Sequence, residues 1–156
     1  MYNICVGKVY TLHFDGSCWP NPGGKAGYGF TLEDSDGNLI EEGHGVVGTG
    51  PKMSNNVAEF HALRQGLIAF QRHRCECGPH SHPYNVEKQP LSIFGDSNMV
   101  VKIMRGEWMP TPGKLYYNEW AAASVEWLRV ARYADIQIRW VPRAQNQRCD
   151  DLSKGR

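Results

Sequence analysis

Four acidic positions carry the chemistry this sequence is equipped to do. Asp15 lies in Leu12-His13-Phe14-Asp15-Gly16-Ser17, after an apolar run and before the turn-rich Cys18-Trp19-Pro20-Asn21-Pro22-Gly23-Gly24. Glu59 closes Asn55-Asn56-Val57-Ala58-Glu59, Asp96 follows Ile93-Phe94-Gly95, and Asp150 and Asp151 follow Asn146-Gln147-Arg148-Cys149. Each has an ordinary structural role open to it. Asp15-Gly16 is a common turn dipeptide, and Asn56 with Glu59 has capping-box spacing. Asp96 suits a helix N-cap, and Asp150 suits a first helical turn, where an acid meets the positive end of the helix dipole. Together they read differently. Carboxylates gathered on one rim of a sheet repel one another unless cations lie between them. An all-oxygen ligand set favours hard divalent ions such as Mg2+, with Mn2+ as a substitute. Two such ions about 4 Å apart suit in-line attack on a phosphodiester.

The elements that must position these acids follow from hydrophobic spacing. Residues 8–14 form a first strand that ends at Asp15, and the turn residues after it bend the chain away. Residues 26–34 and 39–47 are two more strands around the Ser35-Asp36-Gly37-Asn38 turn, giving an antiparallel meander. Phe60, Leu63, Leu67 and Phe70 recur at helical spacing, so residues 55–72 form an amphipathic helix with Glu59 in its first turn, on the sheet-facing side. Leu91 to Phe94 is a short, apolar and therefore buried parallel strand. Residues 97–105 and 116–132 are helices, the second with Trp120, Ala123, Trp127 and Val130 on one face. Ile136, Ile138 and Trp140 alternate as a fifth strand, and residues 147–154 are a helical stub. The order β-β-β-α-β-α-α-β-α predicts an α/β fold: a five-stranded mixed sheet, three antiparallel strands then parallel ones, with helices on both faces. The acids sit at strand ends or helix starts, where open α/β sheets place their sites.

Bulk properties narrow the class. The chain has 156 residues, 41% hydrophobic and 21% charged, which suits a single domain over 1–156. No apolar run reaches membrane-spanning length. Met1 to Cys5 lacks the basic and apolar regions of a signal peptide. Five irregularly spaced cysteines argue for reduced thiols in a cytoplasmic setting. The net charge of +1 does not advertise nucleic-acid binding, but a local basic face suffices for it.

Asp15-Gly16-Ser17-Cys18 with Asn21-Pro22-Gly23-Gly24, Asn55-Asn56-Val57-Ala58-Glu59, Asp96-Ser97 and Asn146-Gln147-Arg148-Cys149-Asp150-Asp151-Leu152 together resemble the type 1 ribonuclease H family. These enzymes cut the RNA strand of RNA/DNA hybrids. The resemblance runs from about residue 8 to 154, in the family's order. It implies that Asp15, Glu59, Asp96 and Asp150 are catalytic carboxylates that hold two Mg2+ ions, with Asp15 bridging both. One ion would activate water and the other stabilise the leaving 3′ oxygen, giving 5′-phosphate and 3′-hydroxyl ends. Spacing from Asn146 favours Asp150 over Asp151. Discrimination of RNA from DNA rests on the 2′-hydroxyl, which polar, uncharged side chains can read in the minor groove. The resemblance places Cys18, Asn21, Asn55, Asn56 and Asn98 against that groove, and Ser54 against a DNA phosphate. The expected partner is an RNA/DNA hybrid, and the expected state is a monomer. Two alternatives stand beside this reading: a catalytically inactive hybrid-binding module, and another nuclease of the same superfamily.

The sequence also departs from the family. Many relatives carry a His in a loop before the last helix, whereas Trp140-Val141-Pro142-Arg143-Ala144-Gln145-Asn146 is short and has none. It is similar to a short-loop branch in which an Arg serves instead, which makes Arg143 the catalytic candidate. The lysine-rich handle of many relatives is reduced here to Lys114 within Trp108 to Asn118, so weaker electrostatic capture is expected. Gly43-His44-Gly45-Val46-Val47-Gly48 fits a dinucleotide-binding pattern, but it sits in a hairpin strand with Gly50-Pro51 where a helix should start. His73 to His82 carries zinc-ligand chemistry without a zinc spacing. An irregular, solvated insertion over about 71–90 is the expectation there.

Overall fold

The computed structural model describes residues 9–73 and 88–156. Strands β1 (Tyr10–Trp19), β2 (Lys25–Glu33) and β3 (Leu39–Thr49) form the meander. Helix α1 (Asn55–His73), strand β4 (Gln89–Gly95), helices α2 (Asn98–Met104) and α3 (Tyr117–Ala131), strand β5 (Ala134–Trp140) and helix α4 (Gln147–Ser153) follow. A 3-10 turn at Arg143–Gln145 leads into α4. The sheet order is β3-β2-β1-β4-β5, with β1–β2 and β2–β3 antiparallel and β1–β4 and β4–β5 parallel. The fold is the five-stranded mixed sheet that the spacing predicts. Among the described residues, no helix is long and apolar enough to cross a membrane.

Strand parity decides which helix each side chain meets. Leu12, Phe14, Phe30 and Leu32 belong to the main core, which they share with Phe60, Leu63, Leu67 and Phe70 of α1. Each of these large side chains is almost fully removed from water, and such burial is worth about 2–3 kcal/mol apiece. The intervening residues of β1 and β2 meet α4. The Ser17 hydroxyl donates to the Ser153 carbonyl (3.0 Å), and Thr31 meets the Cys149 thiol (3.8 Å). At Gly29 a Cβ would come within 2.6 Å of the Leu152 side chain and 2.7 Å of the Cys149 carbonyl. Glycine there lets α4 lie directly on the sheet. A seven-residue helix has little stability of its own, so α4 is held by this packing.

Three details differ from the sequence expectation. Strand β1 does not end at Asp15: it runs to Trp19, because β2 pairs with it as far as Cys18↔Ala26 and Trp19↔Lys25. Asp15 is therefore a mid-strand residue, opposite Gly29. Its parallel neighbour β4, however, pairs only as far as Phe14↔Gly95. The sheet splits just before Asp15, and that split opens the site. Helix α1 starts at Asn55, as the spacing predicts, but Glu59 is its fifth residue and lies just beyond the first turn rather than in it. The cap is Ser54, whose Oγ accepts from the Val57 N–H (3.2 Å), so Asn56 and Glu59 do not form a capping box. The third concerns the insertion. Its first residues complete α1, where Arg72 and His73 both pair with Glu41, and its last begin β4. The rest of the His/Cys-rich segment, with the zinc question attached to it, lies outside the described residues.

Candidate active site

Each acid is delivered by a different element. Asp15 comes from β1 where β4 stops accompanying it, and Asp96 from the turn after β4. Asp96 does not cap α2; Ser97 does, its Oγ accepting from the Val100 N–H (3.3 Å), which leaves the Asp96 carboxylate to the site. Glu59 reaches the site past Gly16. A Cβ at Gly16 would stand 2.2 Å from the Ala58 carbonyl carbon and 2.3 Å from the Glu59 nitrogen, so only glycine lets β1 and α1 approach this closely. The Gly16 backbone N–H donates to the Glu59 carboxylate.

Asp15, Glu59 and Asp96 converge: one oxygen from each lies within 4.8 Å of the others. Asp15 and Glu59 are buried, at 3% and 7% exposure. Burial raises the Asp15 carboxyl to about 7, with the Asp96 and Asp150 charges adding to the effect and a hydrogen bond from Glu59 opposing it. Burial also drives Glu59 well above the usual carboxylate range, reinforced by the Asp15 charge. Without cations, the pair therefore holds a proton that Glu59 donates to Asp15. The Glu59 Oε2 atom is buried with no hydrogen-bond partner. An orphaned buried carboxylate oxygen in an all-oxygen cluster fits a hard divalent cation.

Asp150 stands beside this triad, within hydrogen-bonding reach of Asp15, but is differently occupied. Arg143 donates to its Oδ1 (3.1 Å) and Lys154 to its Oδ2 (2.9 Å). Burial opposes the Asp150 charge, but these two cations outweigh it and hold the carboxyl below its ordinary value. Arg143 is held charged by the same contact. The neighbouring Asp151 is partly exposed and is met by the Gln147 amide (3.1 Å).

Of the polar residues expected at the substrate face, Cys18, Asn21, Ser54, Asn55 and Asn56 are gathered around the N-terminus of α1 and the tip of the β1–β2 hairpin, while Asn98 stands apart on α2. The Asn21 Oδ1 accepts from the Asn55 N–H (2.8 Å), tying hairpin to helix. Asn55 lines the cleft beside Asp15, while Asn56 and Asn98 are exposed at the starts of α1 and α2. Ser54 spends its hydroxyl on the helix cap. Cys18 also lines the cleft, but its side chain is buried with Ala26 and Ala58, and its thiol donates to the Pro20 carbonyl (3.4 Å).

A profile of the RNase H family matches residues 7–156. The chain belongs to the RNase H family. Among RNase H relatives, ribonuclease HI of Halobacterium salinarum is 29% identical over 147 residues, which cover 94% of this chain and 63% of that protein. The chain spans less still, 34%, of mycobacterial relatives that are 30% identical. The crystal structure of the Halobacterium salinarum RNase H1 superposes with a TM-score of 0.72 at 28% identity, covering 93% of this chain and 94% of that one. The N-terminal RNase H domain of a Mycobacterium tuberculosis protein superposes with a TM-score of 0.73 at 25% identity, covering 94% and 91%. These relatives place the chain on the type 1 branch of the family.

Two residues of this RNase H site were not singled out from sequence. Lys154 sits four residues after Asp150 on one helix, the spacing at which side chains meet, and that spacing was there to be read. Trp140 fell into the alternation of β5 as a core residue, yet it is half exposed at the mouth of the cleft. Its indole N–H donates to the Asp96 carbonyl (3.1 Å), and the next residue, Val141, donates its N–H to the Gly95 carbonyl (2.9 Å). Together they fix the turn that carries Asp96.

Proposed function

We propose that this chain is an endonuclease that hydrolyses the RNA strand of RNA/DNA hybrids with the help of two divalent cations, Mg2+ in the first instance. The observation that carries this reading is the convergence of Asp15, Glu59 and Asp96 within 4.8 Å, with Asp15 and Glu59 buried, Asp96 half-buried and an oxygen of Glu59 left unpartnered. Membership of the RNase H family supports the substrate. Asp15, Glu59 and Asp96, joined by Asp150, would hold the ions. Bound there, they would supply a metal-activated water and charge stabilisation at the leaving 3′ oxygen, giving 5′-phosphate and 3′-hydroxyl products.

The chain's own residues prepare the site. The proton shared by Asp15 and Glu59 must leave before both carboxylates can serve as ligands, so loading releases protons. Arg143 and Lys154 keep Asp150 ionised and aimed at Asp15. The Arg143 guanidinium is largely exposed at the cleft, where it can also meet a phosphate oxygen. The Asn21–Asn55 bond fixes the polar rim that would read 2′-hydroxyls and minor-groove edges.

The test is cleavage of an end-labelled RNA strand, single-stranded, paired with RNA, or paired with DNA, and the DNA pairing repeated with EDTA in place of Mg2+. Cutting confined to the hybrid and to Mg2+ is expected. Hybrid binding without cutting would favour the inactive binding module, and cutting of single-stranded RNA would remove the substrate assignment.

A further inference from the structure

The cleft that contains the carboxylates is much larger than a metal site needs. Its volume is about 1160 Å³, and it runs from the triad past the end of α4 to the outer strands of the sheet. The distribution of charge along it is uneven. Every acid that lines it belongs to the triad at one end. Beyond Lys154, which belongs to the acidic end through Asp150, the cleft is lined by Trp19, Lys25, His44, Val46 and Arg156. Among the described residues, Lys25, His44 and Arg156 make no ion pair, although the Glu42 carboxylate, paired with Arg148, lies close enough to His44 to feel its charge. Trp19 is 84% exposed and Val46 57%, an aromatic and an aliphatic face beside these cations. Trp19 and Lys25 are cross-strand partners, the last pair of the β1–β2 ladder, so the ring and the ammonium project from one rigid point.

The handle has an exposed ring of its own, Trp108, but few cations beside it. Lys102, which precedes it, lies over the Trp108 ring at 4.9 Å, and Lys114 is its single lysine. Cations beside an exposed aromatic ring are the combination that binds a nucleic-acid strand without reading its sequence, through phosphates and base or sugar faces.

We infer that this arm of the cleft, with Trp19, Lys25 and His44 as its working residues, is an extended strand-binding surface that carries the hybrid beyond the carboxylates and supplies the electrostatic capture the handle lacks. The inference rests on the hybrid reading above. Lys25 engages a backbone phosphate, Trp19 stacks on the sugar-base face next to it, and His44 donates to the following phosphate. A hybrid long enough to leave the triad and cross the arm gains these contacts, whereas a short one does not.

The experiment measures hybrid binding by fluorescence anisotropy between about 50 and 200 mM salt. It uses long and short RNA/DNA hybrids and the Asp15→Asn background, in which cutting is silenced. Lys25→Ala should weaken binding of the long hybrid and reduce the slope of log affinity against log salt by about one. Trp19→Ala should weaken it by about tenfold with the salt slope unchanged, as loss of stacking rather than of charge. Neither should alter affinity for the short hybrid, and Lys88→Ala, whose ammonium donates to the Ala131 carbonyl at the opposite end of β4, serves as the charge control. Both sites are exposed, and a thermal melt checks that each variant folds. Long-hybrid affinity and salt slope equal to the parent in both variants would overturn the arm while leaving the enzyme assignment intact. Failure of the parent chain to bind either hybrid would instead remove the reading on which the arm depends.

Discussion

Asp15→Asn should make the metal-free protein more stable while abolishing cleavage. The Asp15 carboxyl is raised from 3.8 to about 7, chiefly by burial. Ionising it in the native state therefore costs up to three powers of ten in proton affinity, about 4 kcal/mol as an upper bound. Because Asp15 shares its proton with Glu59, the pair titrates jointly, and about 2 kcal/mol is the expected gain on removing the charge at pH 8. The sign follows from linkage. A carboxyl whose native pKa lies above its unfolded one contributes its full stability below about pH 4, and loses it as pH rises through about 7. Wild type and variant should thus unfold alike in acid and diverge toward alkaline pH. With a urea slope of about 2 kcal/mol per molar, the midpoints in EDTA at pH 8 should differ by about 1 M. Mg2+ should reverse the order, stabilising the wild type through the carboxylates and leaving the variant nearly unmoved. An Asn variant no more stable than wild type in EDTA at pH 8, or a difference independent of pH, would refute the view that a desolvated, mutually repelling cluster awaits cations.

Three further substitutions probe the supports of the site. Gly16→Ala places a Cβ 2.2 Å from the Ala58 carbonyl carbon, so β1 and α1 must part; a loss of about 2–3 kcal/mol in urea unfolding and a large fall in cleavage rate are expected. Arg143→Ala should slow turnover more than it weakens hybrid binding, and an unchanged single-turnover rate would take Arg143 out of the mechanism. Trp140→Phe keeps the ring but deletes the bond to the Asp96 carbonyl. About 1 kcal/mol of stability should be lost, with weaker Mg2+ affinity seen as a smaller metal-induced rise in Tm.

The local pattern was enough for most of the scaffold. Phe60, Leu63, Leu67 and Phe70 announced α1 and its buried face, and the run from Leu91 to Phe94 announced a buried parallel strand. What failed was information held in distant partners. Cys18 and Trp19 precede Pro20 and read locally as turn, but their pairing with Ala26 and Lys25 makes them strand. Trp140 alternates correctly with Ile136 and Ile138, yet β5 is an edge strand whose cover runs out before its end, and the last of the three is exposed. At the site, three acids found by type and position do converge. The fourth is legible only with its cations, since two opposing charges set how Asp150 behaves.

The split between β1 and β4 leaves one spacing in the site without a ladder to define it. Asp15 and Asp96 ride on strands whose last shared rung is Phe14↔Gly95, so no backbone bond beyond that rung fixes how far apart they stand. What lies at the fork is the Phe14 ring, so close beneath Gly95 that a Cβ on that glycine would come within 2.5 Å of it. The ring is wedged under the fork, so its bulk bears on the spacing of the two strands that carry Asp15 and Asp96. Under the two-ion reading proposed above, tolerance for ions of different radius would then depend on the hydrophobic core as well as on the acids, through a residue that would not itself be a ligand.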